Sequence, residues 1–281
     1  MSKIHDWVER GSLDKVKVML QENGSLIHTC RAGHCSDQPL HIAAWQDHSD
    51  IALLLIETGA EVNAKGDEGR TPLHYAALFG NVKTAKMLID SGAELDLKDD
   101  SGHTPILLAA RGRETANHHI IQLLLEHGAF VDLNTAVCIG SKKHVMAILE
   151  DDPTAVKKAP FPDDLLYDTL AYIQHKIWQE ISPLSTPEQA LPVIIKHRQI
   201  LDLLLQHGVD VNGISISGRP CLFEAVQLEH PVIAETLMKL GADVNYKTES
   251  GEDAWTFSDR SVSKEAMHQL LLNHGYQPLE S

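Results

Sequence analysis

The chain has 281 residues, of which 43% are hydrophobic, 22% are charged and only 5% are aromatic, so it contains enough apolar material for a sizeable core. Its 24 basic residues are outnumbered by 39 acidic residues, and the formal net charge at pH 7 is −15. This acidic balance argues against binding to nucleic acid or to an anionic membrane, because both partners need basic patches.

The sequence also shows no sign of export or of membrane insertion. No apolar run approaches the roughly 20 residues that a membrane span needs. The N-terminal residues Met1–Trp7 soon reach a charged side chain and contain no apolar signal core. The four cysteines are scattered without the spacing of a disulfide framework, which favours reduced thiols. We therefore expect a cytoplasmic protein.

One stretch, Thr71–Gly80 (TPLHYAALFG), has the start and stop signals of a complete short helix. Its threonine is a suitable N-cap and its proline fits the first helical position. Its final glycine can end the helix in the left-handed conformation. The pattern recurs with a period of about 33 residues, beginning again at Pro39 on one side and at Thr104 on the other. The sequence is therefore built from repeats.

A second motif has the same period. Glycine, a small residue, an acidic residue, an aliphatic residue and Asn or Asp follow one another at Gly59–Asn63 and again one period later at Gly92–Asp96. Near the C-terminus, Gly208–Asn212 and Gly241–Asn245 are also separated by one period. Period and phase therefore agree over most of the chain.

Each unit predicts two helices and a turn-rich connection. In the third unit, Val82, Ala85 and Leu88 recur at helical spacing, and Asp99–Gly102 has turn chemistry. Such units cannot bury their apolar faces alone, so neighbouring units must stack. The period and the T-P-L-H-x-A motif resemble those of the ankyrin-repeat family. The resemblance implies an all-α solenoid of about eight helix-turn-helix units with short β-hairpin connections.

The first half of the chain departs from the template at three places. The first unit, Ile4–His28, lacks the Thr-Pro start and carries the charged residues expected of an N-terminal cap. The fourth unit, 102–133, is stretched, because the distance from Gly92 to Gly128 is three residues more than the period. The fifth begins at Leu133, only five residues after the preceding glycine, and resembles the first unit. We therefore divide the chain into 1–132 and 133–281, and favour one continuous solenoid over two fused four-unit arrays.

The second half contains an insertion. It lies near residues 172–195 in the sixth unit and contains three prolines, which predict a loop after a first helix lengthened to about Ile181. The seventh unit replaces the Thr-Pro-Leu-His run with Pro220–Phe223. The eighth runs from Gly251 to Gly275 and is expected to be the C-terminal cap.

Seventeen histidines suggest a metal or catalytic site, but the repeat explains the most regular of them. His41 and His74 are motif histidines, which we expect to hydrogen-bond around the N-cap and the adjoining turns. His127, His207 and His274 each precede the glycine that ends a second helix. A donor side chain is favourable there, because the last carbonyl groups of a helix lack partners.

The strongest metal candidate is the segment 28–35, which holds two cysteines and two histidines. Zinc accepts these ligands, but the spacing matches no common zinc finger, and we favour a variable loop. The sequence contains no P-loop, no nucleophile elbow and no H-E-x-x-H motif. We therefore expect a protein without catalytic residues, metal or cofactor.

The residues that vary from unit to unit lie at the connection tips and on the exposed side of the first helices. The resemblance implies that these positions line a concave groove that binds other proteins. The predicted partner-binding residues are Trp45, Gln46, Asp67, Glu68, Arg70, Leu78, Phe79, Asp100, Ser101, His103, Arg111, Ile216, Arg219, Gln227 and Leu228. Trp45, Leu78 and Phe79 are notable because the repeat does not require large apolar side chains there. The alternative is that these three pack against an adjacent first helix.

These observations predict a non-catalytic scaffold or adaptor that holds another protein in its groove. The net charge favours a basic or amphipathic partner segment, and we expect a monomer. The alternative function is a regulatory or self-association role for the insertion near 172–195. In eukaryotic relatives, a hairpin asparagine in the context of Asn63, Asn212 and Asn245 can also be hydroxylated. Turn geometry alone, however, explains an asparagine at these positions.

Overall fold

Short helices form almost all of the regular structure in the computed structural model. The structure describes residues 3–30, 36–112, 117–160, 164–180, 192, 194–195, 198–214, 218–227, 231–259 and 264–277. The chain divides into two compact units, Met1–Val131 and Asp132–Ser281. This division lies one residue before the predicted one, and the choice between one solenoid and two arrays stays a prediction. Within the described ranges, no helix combines the length and apolar character needed to cross a bilayer.

The N-terminal compact unit, Met1–Val131, is a stack of helix pairs. Its helices are α1 (Lys3–Glu9), α2 (Leu13–Glu22), α3 (Pro39–Trp45), α4 (Ser49–Glu57), α5 (Pro72–Leu78), α6 (Val82–Asp90), α7 (Pro105–Arg111) and α8 (Asn117–Glu126). The first helices α1, α3, α5 and α7 pack one on the next, and the second helices α2, α4, α6 and α8 form a parallel row. The apolar side chains between the rows form a continuous core. The paired alanines of α3 and α5 are fully buried, which lets the first helices approach closely.

The C-terminal compact unit, Asp132–Ser281, also consists of stacked helix pairs. Its helices are α9 (Leu133–Cys138), α10 (Lys142–Asp151), α11 (Ala155–Lys158), α12 (Leu165–Glu180), α13 (Gln199–Gln206), α14 (Cys221–Gln227), α15 (Pro231–Lys239), α16 (Ala254–Ser258) and α17 (Lys264–Asn273). Helices α9, α12, α14 and α16 form the row of first helices. Helix α12 has 16 residues, whereas α3 and α5 have seven, and it ends close to the predicted residue 181. The predicted loop after it falls mainly on residues 181–191, which lie outside the described residues.

The motif histidines link one repeat to the next repeat along the chain. At α5, the Thr71 N–H donates to Nδ1 of His74 (3.1 Å), and Nε2 of His74 lies 3.1 Å from the carbonyl oxygen of His103. At α3, His41 makes the same pair of contacts, with the Gln38 N–H (3.0 Å) and the carbonyl of Ala64 (2.9 Å). Because Nδ1 accepts, the proton lies on Nε2 and donates to the neighbouring connection. Burial lowers the pKa of both imidazoles, which favours this neutral form. The predicted structural role of these histidines is confirmed.

The connections between units differ from the prediction. The described residues contain no β-strand, and only two isolated antiparallel bridges occur, Ile214–Pro220 and Lys247–Asp253. Other tips close with a single backbone hydrogen bond, such as that from Gly66 N–H to the carbonyl of Arg70 (2.8 Å). The predicted β-hairpins are therefore not confirmed, because each tip is too short to form a ladder.

Side chains replace the missing ladder between neighbouring connections. The amide oxygens of Asn63, Asn212 and Asn245 each accept a backbone N–H from the next connection at 2.8–2.9 Å. Asp96 accepts the N–H of Phe130 in the same way (2.9 Å). These contacts recur at about the repeat spacing, so the second repeated motif has a direct structural purpose. Whether any of these asparagines is modified stays a prediction.

Candidate protein-binding surface

Two aromatic rings lie together on the row of first helices in the N-terminal compact unit. Trp45 is the last residue of α3, and Phe79 directly follows α5. Their rings stack with centroids 5.7 Å apart and planes inclined by 30°. Trp45 is 37% exposed and Phe79 is 38% exposed, while Leu78 is half-buried. The rings therefore pack on each other across two repeats and still present more than a third of their surface to solvent.

Hydrogen bonds hold the backbone around this ring pair. The side-chain amide of Asn81 donates to the carbonyl oxygens of Ala44 and Trp45, each at 2.8 Å. This fixes the C-terminal end of α3 against the start of α6. A rigid backbone under an aromatic anchor lowers the entropic cost of binding, because the surface is already ordered before a partner arrives.

Asp47 adds a second link at the same place. It adopts the left-handed conformation (φ 57°) at the position where the third unit has a glycine. Its carboxylate accepts from the hydroxyl (2.8 Å) and the N–H (3.3 Å) of Thr84, in the first turn of α6. A carboxylate is favourable at this end of a helix, which carries a partial positive charge. The cap accounts for a non-glycine residue in this conformation.

The tip of the third repeat is the connection that precedes its first helix, α5. Most of the predicted side chains there contact other residues of the protein. The guanidinium of Arg70 lies 2.7 Å from the carboxylate of Glu68 and 3.7 Å from that of Asp99. Asp67 accepts the N–H of Ser36 at 2.6 Å. Glu68 keeps 63% of its side chain exposed, so among these predicted residues it is the most accessible to a partner.

The tip of the fourth unit is built around a buried carboxylate. Asp99 is 6% exposed and accepts the N–H groups of Ser101 (3.0 Å) and His103 (2.8 Å). Asp100 is exposed, and its N–H donates to the carbonyl of Glu68 at 2.9 Å. The predicted residues of the third and fourth tips therefore lie next to each other.

A buried pair that the sequence did not predict lies beneath these tips. The hydroxyl of Tyr75 donates to both carboxylate oxygens of Asp37, at 3.1 and 3.0 Å, and both residues are only 8% exposed. Burial, and then the charge of Asp37, raise the pKa of this phenol. One signal was present in the sequence, because the other units have Ile42 and Leu108 at this position. A hydroxyl on an otherwise apolar face needs a partner.

A polar contact crosses from the tip of the fourth unit to the end of its first helix. Nη1 of Arg111, the last residue of α7, lies 3.1 Å from Nε2 of His103. Nδ1 of the same imidazole lies 3.5 Å from the carboxylate of Asp99. Arg111 and His103, both predicted as partner-binding residues, therefore contact each other.

The C-terminal compact unit contains an equivalent contact between a tip and the end of a first helix. Nη1 of Arg219 lies 3.5 Å from Oε1 of Gln227, and its guanidinium carbon lies 4.8 Å from the ring centroid of Phe257. Glu224 is 4.0 Å from the same guanidinium; burial raises the pKa of this carboxyl and Arg219 opposes the shift. The predicted residues Ile216 and Leu228 lie outside the described residues. The structure thus places the predicted residues in two separate sets, one in each unit.

The three histidines that precede a helix-ending glycine have the structural role predicted for them. Nδ1 of His127, His207 and His274 lies 2.8–3.0 Å from the carbonyl oxygen four residues earlier, at the end of a second helix. Of the candidate zinc segment, Cys30 is exposed and 31–35 lie outside the described residues. Among the side chains that the structure describes, no three His, Cys, Asp or Glu residues are arranged to hold a metal ion.

The stacked pairs of short helices and their turn connections define a helical repeat protein. A family model for ankyrin repeats (three copies) matches residues 4–99 and 62–135. The match covers residues 4–135, just under half of the chain, and supports ankyrin repeats in that part. Ankyrin repeats generally mediate protein–protein interactions and are typically non-catalytic.

A curated relative matches a shorter stretch. Over 58 residues the chain is 41% identical to alpha-latrocrustotoxin-Lt1a from Latrodectus tredecimguttatus. The stretch is 21% of this chain and 4% of that protein, so the similarity covers a small fraction of the relative's length.

Proposed function

We propose that this protein is a non-catalytic scaffold or adaptor that binds a segment of another protein across α3 and α5. The observation that carries the proposal is the ring pair formed by Trp45 and Phe79. Large aromatic side chains on a rigid frame are the usual anchors of protein interfaces. Full burial of an aromatic anchor under a partner makes its truncation costly, at about 2 kcal/mol or roughly 30-fold in affinity.

The charge of the surface indicates the chemistry of the partner. The chain has a net charge of −15, and Glu68 and Asp100 are exposed beside the groove. A basic or amphipathic segment complements this surface better than nucleic acid does, because nucleic acid would be repelled. Exposed carboxylates would speed association, and salt would weaken this effect. In this proposal the protein acts as a monomer in the cytoplasm.

Affinity capture from the native cell tests the proposal. The full chain is compared with W45A and F79A, and Leu53→Ala is the matched control. Leu53 is 43% exposed but lies on α4, in the row of second helices. We expect captured partners to be lost with the two ring variants and kept with the control, when each variant is assayed well below its own melting temperature. Partners that survive both ring variants would show that this part of the groove is not the binding surface.

The alternative function assigned to the insertion near 172–195 stays a prediction. Only the end of α12 and residues 192, 194 and 195 of that segment are described. Sedimentation of the full chain and of a variant without 175–192 tests it, because a self-association module would make only the full chain dimeric.

A further inference from the structure

Two positions mark the two ends of the first helix in each repeat. One is the residue just before the N-cap of a first helix, and the other, eight residues later, is at the C-terminal end of that helix. In successive units of the first half these pairs are Asp37 with Trp45, Arg70 with Leu78, and His103 with Arg111. In the second unit of the structure the pair is Arg219 with Gln227.

The pairs fall into two kinds. Arg111 contacts His103 (3.1 Å) and Arg219 contacts Gln227 (3.5 Å), so in these repeats a side chain spans from tip to helix end. The matching helix-end residues of α3 and α5 are Trp45 and Leu78, which are apolar. The groove therefore has a polar crossing at α7 and an apolar floor at α3 and α5.

The tip residues above the apolar floor are held by other partners. Arg70 pairs with the carboxylates of Glu68 and Asp99. Asp37 accepts the hydroxyl of Tyr75 and also the N–H of Asp67, the latter at 3.0 Å. These contacts of the two tip side chains go to residues other than the helix ends Trp45 and Leu78, and Trp45 keeps 37% of its surface exposed.

We propose that the contact between Arg111 and His103 is a clasp that ends the partner-binding floor at α7. The inference rests on the proposed function, and it adds that a basic, amphipathic segment of the partner lies on α3 and α5 only. Arg111 then determines specificity in two ways. Its side chain occupies the groove as far as the tip, and its fixed positive charge repels a basic partner residue.

The clasp has its own support. The Asp99 carboxylate accepts the N–H of His103 at 2.8 Å and lies 3.5 Å from Nδ1 of its ring. A guanidinium can only donate, so Nε2 accepts from Arg111 and the neutral ring carries its proton on Nδ1. The same backbone is fixed from below, since His74 contacts the carbonyl of His103. The imidazole is therefore a positioning group for Arg111.

A random twelve-residue peptide library displayed on phage provides the probe. Peptides are selected on the full chain, and their affinities for variants are measured by fluorescence anisotropy at about 0.15 M salt. Arg111→Met removes the charge and the contact, and Arg111→Gln is a second variant in case the first is unstable. Lys83→Met is the matched control, because Lys83 is an exposed cation on α6, in the row of second helices.

We expect the selected peptides to combine basic and large apolar residues and to bind the Arg111 variants about two- to fivefold more tightly, the range of an exposed charge pair. The control should bind as the unmodified chain does. Unchanged or weaker binding to the Arg111 variants, or an equal gain with K83M, would overturn the clasp. If no selected peptide is sensitive to W45A or F79A, the proposed function itself fails.

Discussion

The contact between Tyr75 and Asp37 makes a sharp prediction about stability, tested by Tyr75→Phe. The substitution removes one oxygen atom and leaves the ring in place between α3 and α5. Both partners are 8% exposed, so water cannot readily replace the lost hydroxyl. The substitution therefore isolates the hydrogen bond from the packing of the ring.

The magnitude follows from the partners that remain. A hydrogen bond to a charged group contributes about 1.5–3 kcal/mol. Asp37 keeps its bond from the N–H of Asp67 (3.0 Å), so its carboxylate is only partly deprived of donors. We therefore expect a loss at the lower end of that range, about 1.5–2 kcal/mol. For a unit of this size the loss lowers the melting temperature by roughly 5–7 °C.

Urea denaturation followed by far-ultraviolet circular dichroism measures the free energy of unfolding. Tyr246→Phe is the control, because Tyr246 is half-buried and packs edge-on against Phe223 in the second unit. We expect the control to change the free energy of unfolding by less than about 0.5 kcal/mol. Equal effects of the two substitutions would refute the argument that Tyr75 supports a buried carboxylate.

Three further predictions concern the repeat frame. Burial lowers the pKa of His41 and His74, so between the folded and unfolded pKa values the unfolded chain binds more protons than the folded chain. The free energy of unfolding should therefore be highest above about pH 6.5 and should fall as the pH drops towards the folded pKa values. His74→Gln should flatten this dependence in urea titrations between about pH 7 and 5. Gly140→Ala should destabilise by several kcal/mol, because Gly140 has φ 67° and a Cβ there would overlap the ring of Tyr172; normal melting would disprove this packing. Asn63→Ala should cost about 1 kcal/mol through its lost bond to the next connection, and an unchanged urea midpoint would contradict that role.

Much of the fold was predictable because the determining signals are local. The N-cap, the proline at the first helical position and the final glycine act within Thr71–Gly80, and the period then repeats them. His74 was predicted to bond around the N-cap for the same reason. The tip residues were harder, since their contacts depend on the neighbouring unit. Asp37 and Tyr75 are 38 residues apart, and nothing local pairs them.

The candidate surface shows the same limit. Trp45 and Phe79 were identified as unusual from the repeat alone, but their stacking depends on how α3 and α5 pack. Arg70 was predicted to face a partner, whereas the structure pairs it with Glu68 and the buried Asp99. Variation between repeats thus indicates candidate binding positions, while the three-dimensional contacts decide which of those residues are accessible.

Stability and binding should be separable in this groove, and this makes the proposed function testable. Trp45 and Phe79 keep more than a third of their surface exposed, so truncating either ring removes less buried area than truncating a fully buried ring would. Tyr75 is buried and supports the tip, so its loss should weaken folding. A ring variant that loses partners while it melts normally would therefore identify a binding residue. A ring variant that unfolds as readily as Y75F would identify a structural one.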